Sequence, residues 1–142
     1  MLTKKITYKT FDGEEITETF YFNFTKSEII EMQVKHPGGY SAYLQEMVDS
    51  KDISAIYAAF KVIVLDSYGE KSPDGKHFLK SKELSDRFEH SAAYDELMIE
   101  LIGDSDAAAS FIQGVMPVSD LDDTQKNELE ERTRQLIESK KN

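Results

Sequence analysis

Three histidines, one glycine-flanked lysine run and a few closely spaced carboxylates are the side chains in this 142-residue chain whose types could do chemistry. His36, His77 and His90 are far apart, and none has a second histidine at i+2, i+3 or i+4, the spacings that bring two ring nitrogens to one metal ion. They read as surface or loop histidines. The run Gly69-Glu70-Lys71-Ser72-Pro73-Asp74-Gly75-Lys76-His77 looks like a phosphate-binding loop until its spacing is counted. Five residues separate the glycines where the cradle needs four, and His77 stands where a hydroxyl should meet magnesium. The run also follows a helical pattern instead of a strand.

The carboxylates fare no better. Glu100, Asp104 and Asp106 lack the alternating oxygen ligands, the glycine at the sixth place and the glutamate at the twelfth that a calcium loop requires, and helix capping accounts for Asp104 and Asp106. Adjacent acids such as Asp95 and Glu96 point in different directions on a helix and show no means of raising one pKa for acid–base work. There is no G-x-S-x-G elbow for a serine nucleophile. Without a cysteine, disulfides, thiolate metal sites and cysteine nucleophiles are all excluded. The motif search therefore points to no catalytic residue, no cofactor and no metal.

Charge narrows the partners. Twenty-seven acids against 17 lysines and arginines give a net charge of −10, which disfavours a nucleic-acid ligand because binding phosphates depends on basic side chains releasing counterions. Residues 81–106 hold eight acids against Lys82 and Arg87, a local charge of −6. Such a face keeps a protein soluble, and it would equally suit a basic partner. The N-terminus has two lysines but no apolar stretch after them, and no run approaches the ~20 apolar residues of a membrane span. The expectation is a cytoplasmic protein.

The elements that must position these groups are legible from periodicity. Ile6, Tyr8, Ile16, Phe20, Phe22 and Phe24 alternate around Asp12-Gly13, predicting a β-hairpin over residues 4–24. Thr25 with Glu28 forms a capping-box pattern ahead of Ile29, Ile30, Gln33 and Val34, and His36-Pro37-Gly38-Gly39 ends that helix. A second helix follows from Tyr40, Tyr43, Leu44, Met47 and Val48. Asp52 opens a third, Ile53–Tyr68, whose apolar residues cover most of its circumference, as in a helix surrounded by others. Ser72-Pro73-Asp74-Gly75 predicts a tight turn and Lys76–Lys80 a short extended piece. Ser81 caps a fourth helix edged by Leu84 and Phe88. A fifth carries Tyr94, Leu97, Met98, Leu101 and Ile102 and ends at Gly103, and a sixth buries Ala108, Phe111, Ile112 and Val115.

The expected fold is mainly α within an α+β class: an N-terminal hairpin, a compact bundle of about six helices over residues 25–117, and a charged extension. Residues 1–117 form one globular domain in this reading. Residues 118–142 offer only Val118, Leu121, Leu129, Leu136 and Ile137 as apolar side chains, too few for a core. Pairs such as Glu128/Arg132 and Glu130/Arg134 would support a solvated helix by about 0.3–0.5 kcal/mol each, so this tail is expected to firm up on a partner.

The stretches YFNFTKSEIIEMQ, Pro37-Gly38-Gly39 and SYGEKSPDGKHFLKSKELSDRFEHSAAYDELMIELIGDSDAAASFIQGVMP carry a likeness to a known family. Over roughly residues 6–117 the chain resembles the tail assembly chaperones of long-tailed bacteriophages, and the YGEKSPDG run is the most specific piece. The resemblance implies a non-enzymatic, largely helical protein that coats the apolar tape measure protein before the tail tube polymerises, and that is absent from the finished virion. It also implies a longer form made by ribosomal frameshifting, through which the major tail tube protein could be reached. Lys140-Lys141-Asn142 fits an A-rich slippery run in the gene.

A binding role requires apolar surface left open and rimmed by charge. The candidate surface is the end of the sixth helix with the start of the tail: Phe111, Val115, Met116 and Leu121, joined by Leu129 and Leu136. A partner helix would lie in such a groove; the alternative is that Phe111 and Val115 are simply core. Met32, Met47, Met98 and Met116 divide the same way between adaptable surface and gap-filling core. A reading from another class is an acidic inhibitor that mimics nucleic acid, against which stand 17 basic residues interleaved with the acids. Self-association is compatible with either role.

Overall fold

The computed structural model describes residues 1–39, 42, 43, 46, 52–116, 134, 135, 137 and 138. The N-terminal alternation folds as expected into strands β1, Leu2–Lys9, and β2, Glu15–Phe22, paired antiparallel from Leu2↔Phe22 to Lys9↔Glu15. The chain reverses through Thr10–Glu14, where the Gly13 N–H donates to the Thr10 carbonyl at 2.9 Å and Gly13 adopts φ 88°. Period-two patterning turns Leu2, Ile6, Tyr8, Phe20 and Phe22 toward the helices. Thr3, Lys5, Thr7 and Lys9 are exposed on the other face. On that face the Thr7 and Thr17 hydroxyls meet at 2.7 Å across the strands.

The sheet is larger than the sequence pattern implies. Strand β3, Tyr68–Lys71, pairs antiparallel with β2 through Tyr21↔Gly69 and Phe22↔Tyr68, and β4, Phe78–Leu79, pairs with β3, giving the order β1-β2-β3-β4. Four residues with one apolar side chain among them are too short to show alternation, so Tyr68 reads from sequence as the end of a helix.

Five helices are present among the described residues: α1 Lys26–Lys35, α2 Ile53–Ser67, α3 Lys82–Glu89, α4 Ala92–Gly103 and α5 Ser105–Val115. Six were expected. The remaining one, over residues 40–48, falls almost wholly outside the described residues, which there include only 42, 43 and 46. Each helix starts on a side chain able to accept from its unsatisfied N–H groups: Thr25 with the reciprocal Glu28 of a capping box, then Asp52, Ser81, Ser91 and Asp104. Such caps stabilise by about 1 kcal/mol each.

Helices α4 and α5 pack on β1, and the core lies between them, the sheet, and α2 and α3. Its centre is aromatic. Phe22 meets Phe111 edge-on at 5.2 Å and Phe88 at 5.6 Å, while Tyr68 stacks on Phe88 at 4.4 Å. Backbone bonds tie the strand exit to two helix ends: the Asn23 N–H donates to the Ser67 carbonyl and the Phe24 N–H to the Val115 carbonyl, both at 2.8 Å. Helix α2 buries Ala59, Phe60, Ile63 and Val64 but leaves Tyr57 and Val62 exposed. It is therefore not enclosed on all sides, as its composition had suggested.

Candidate functional site

The residues whose types suggested chemistry are used for structure. In the run from Gly69 to His77, Ser72 and Asp74 build the hairpin joining β3 to β4. The Ser72 hydroxyl donates to Asp74 Oδ1 at 2.7 Å, the Lys76 N–H donates to the same oxygen at 3.0 Å, and the His77 N–H donates to Ser72 Oγ at 3.0 Å. Those bonds, the Ser72 hydroxyl first, hold the Asp74 carboxyl below its ordinary pKa. Gly69 has a different reason. A Cβ there would stand 2.7 Å from the Leu79 carbonyl oxygen and 2.8 Å from the Phe78 ring, so only glycine lets β4 close against β3. The run forms a turn, and the N–H groups of Ser72, Gly75, Lys76 and His77 are committed within it.

The histidines stay apart. His36 Nε2 lies 2.9 Å from Glu46, which raises the imidazole pKa, helped by the Pro37 carbonyl; His90 Nδ1 meets the Asp86 carbonyl at 2.7 Å; His77 is exposed. Among the described residues no three His, Asp or Glu side chains gather to hold a metal ion. Asp104 caps α5 through the N–H groups of Asp106 and Ala107, Asp106 pairs with Arg134 at 3.2 Å, and Glu100 pairs with Lys4 at 3.0 Å. The Tyr8 hydroxyl donates to the Glu18 carboxylate; that bond, with burial second, pushes its pKa up to about 12.

Of the six residues expected at a partner surface, Phe111 is 2 % exposed, Val115 0 % and Met116 5 %. Leu121, Leu129 and Leu136 lie outside the described residues. The neighbouring Ile137 is buried in the same core cluster. Packing on Phe22 and the bond from the Phe24 N–H bring the end of α5 into the core. A sequence shows an apolar stripe but not how many elements will claim it.

The apolar surface that stays open lies elsewhere. Asp95, Met98, Ile99, Ile102 and Gly103, on one stripe of α4, face Tyr57 of α2 across a groove of about 470 Å³. Ile99 is 68 % exposed and Tyr57 45 %. The helix buries Ala93, Tyr94, Leu97, Met98 and Leu101, so Met98 forms the floor of the groove. Beneath the groove the Tyr94 hydroxyl is buried without a hydrogen-bond partner. Burial first, and the Tyr57 hydroxyl beside it, raise its pKa although the two do not meet in hydrogen-bond geometry. Sequence reading placed Met98 and Ile102 on the core face, where Met98 is buried and Ile102 packs against the core cluster, and passed over Ile99. The available signal was that Leu97, Met98, Ile99, Leu101 and Ile102 are too many apolar residues for one stripe.

Within the described residues, then, the notable surface feature is an apolar groove between two helices beside an acidic stretch, the kind of place where a protein meets another polypeptide. The model of the phage tail assembly chaperone family matches residues 1–142, the whole length of the sequence, and the chain belongs to that family. Comparison with curated proteins and with solved structures finds no match. No helix among the described residues is long and apolar enough to cross a membrane.

Proposed function

We propose that this chain binds the phage tape measure protein, keeps its apolar helices soluble, and promotes tail tube assembly around it. The role is one of holding and release, with no bond made or broken. It is performed in the host cytoplasm, and the chaperone leaves before the virion is complete. Residues 1–117 are the binding body in this reading and 118–142 an extension that orders with the partner. A frameshifted longer form would bring in the major tail tube protein.

The observation that carries the reading is an apolar groove, with Ile99 and Tyr57 exposed at it, on a chain of charge −10. Exposed Ile99 beside Tyr57, over buried Met98, gives affinity for a greasy helix, and the surrounding acid keeps the unloaded protein soluble. The surface at Phe111, Val115 and Met116, with Leu121, Leu129 and Leu136, would serve a partner only in a state in which the end of α5 opens, since its described members are buried. Co-expression tests the function. The tape measure protein should move from the insoluble to the soluble fraction and co-purify with this chain. If it stays insoluble at every expression ratio, the proposal fails.

A further inference from the structure

We infer that the α2/α4 groove is a docking site for an amphipathic helix of another polypeptide that carries lysine or arginine at both ends of its apolar stripe. The inference rests on the reading above that the chain holds another polypeptide, and it assigns where and by what chemistry. Helix α4 carries Asp95, Glu96 and Glu100 on its outer side, yet places Ile99 among them. Its inner face is covered by the core, while Ile99 and the edges of Met98 and Ile102 line an open groove. Ile99, 68 % exposed in that groove, is the side chain that a partner would cover.

Charge selects that partner. The six described residues that line the groove include one charged side chain, the carboxylate of Asp95. Exposed Asp104 follows Gly103 at the other end. Neither acid makes an ion pair among the described residues. Asp104 accepts from the N–H groups of Asp106 and Ala107 as the cap of α5, but its carboxylate stays exposed, and the last turn of α4 carries no basic side chain to pair with it. The two acids stand nine positions apart, about 13 Å along the axis. The fitting occupant has an apolar stripe two to three turns long with cations about 13 Å apart. A second copy of this chain, itself at −10, would bring like charge to the rim.

The test uses the full chain, labelled at its isoleucine and methionine methyls, and two synthetic 20-residue amphipathic helices that differ only in lysine or glutamate at the flanking positions. The lysine peptide should shift the Ile99, Ile102 and Met98 methyls. I99E should weaken it about tenfold or more, and D95K several-fold, while the glutamate peptide should bind about tenfold more weakly than the lysine peptide. Because Ile99 and Asp95 are exposed, both variants should keep the wild-type melting profile. Binding within twofold of wild type for both variants, or shifts centred on other methyls, would overturn the inference. So would an Ile99 methyl that moves with protein concentration alone, which would identify a second copy as the occupant. Quenching of that methyl in the free monomer by a spin label at position 140 would identify the chain's own end and overturn it too. Co-expression separates this inference from the functional reading. Equal solubilisation of the tape measure protein by wild type and I99E removes the groove and leaves the function. A peptide bound in the groove of a chain that leaves the tape measure protein insoluble supports the groove and removes the function.

Discussion

Phe111 on α5 and Ile99 on α4 sit in neighbouring helices, and both read from sequence as apolar residues on helical elements, yet one is sealed and the other stands in solvent. What separates them is the number of elements that reach each face. The end of α5 is claimed by Phe22 of β2, by the Phe24 N–H and by β1. The outer stripe of α4 meets Tyr57 of α2 across a gap. Side-chain type sets the potential to bury surface, and topology decides whether the chain itself or a partner provides the cover.

The sharpest way to break this comparison is to truncate the sealed side. Phe111→Ala should cost about 3–5 kcal/mol in urea-induced unfolding, the range for emptying a buried aromatic site. A loss under 1 kcal/mol would mean that the end of α5 is not sealed at all. Gly69→Ala comes next. The added Cβ must displace the Leu79 carbonyl or the Phe78 ring, for a loss of about 1–3 kcal/mol, visible as loosening of the β3/β4 amides in hydrogen exchange.

Tyr94 lies on the boundary between the two regions. Its hydroxyl is buried without a hydrogen-bond partner, so Tyr94→Phe should leave stability at neutral pH unchanged or raise it by up to about 1 kcal/mol. The same variant tests the pH dependence. A tyrosine whose folded pKa is raised contributes fully below its ordinary pKa of 10 and loses that contribution as pH climbs from there toward the folded value. Wild-type stability should therefore fall above pH 10, and Tyr94→Phe should flatten that fall in alkaline melting curves. The smallest effect on folding belongs to the open side: Ile99→Asn should change unfolding free energy by no more than about 0.5 kcal/mol. A large loss there would show that the stripe is core.

Much of the fold was readable because local chemistry is explicit. The alternation from Ile6 to Phe22, the Asp12-Gly13 reversal, the Thr25/Glu28 capping box and the caps at Asp52, Ser81 and Asp104 all lie within a few residues of the structure they specify. What did not show was non-local. Pairing of Phe22 with Tyr68 joins residues 46 positions apart and leaves no periodic trace in either segment. The YGEKSPDG run illustrates the limit from the other side. Its glycines, lysine, serine and aspartate are the types a phosphate site uses, but a hairpin built on Ser72 and Asp74, together with the tight fit at Gly69, explains them without a ligand. The groove failed to show, and Phe111 stayed open between core and surface, for one reason: exposure is a property of the assembled elements.

Hydrogen exchange on the full chain, with and without its tape measure protein, tests the central claim most directly. The account predicts new protection in α4 around Ile99 and in α2 around Tyr57, with little change along α5, whose core-facing residues are already buried. Protection that leaves α4 and α2 untouched, or a tape measure protein that produces none, would contradict it.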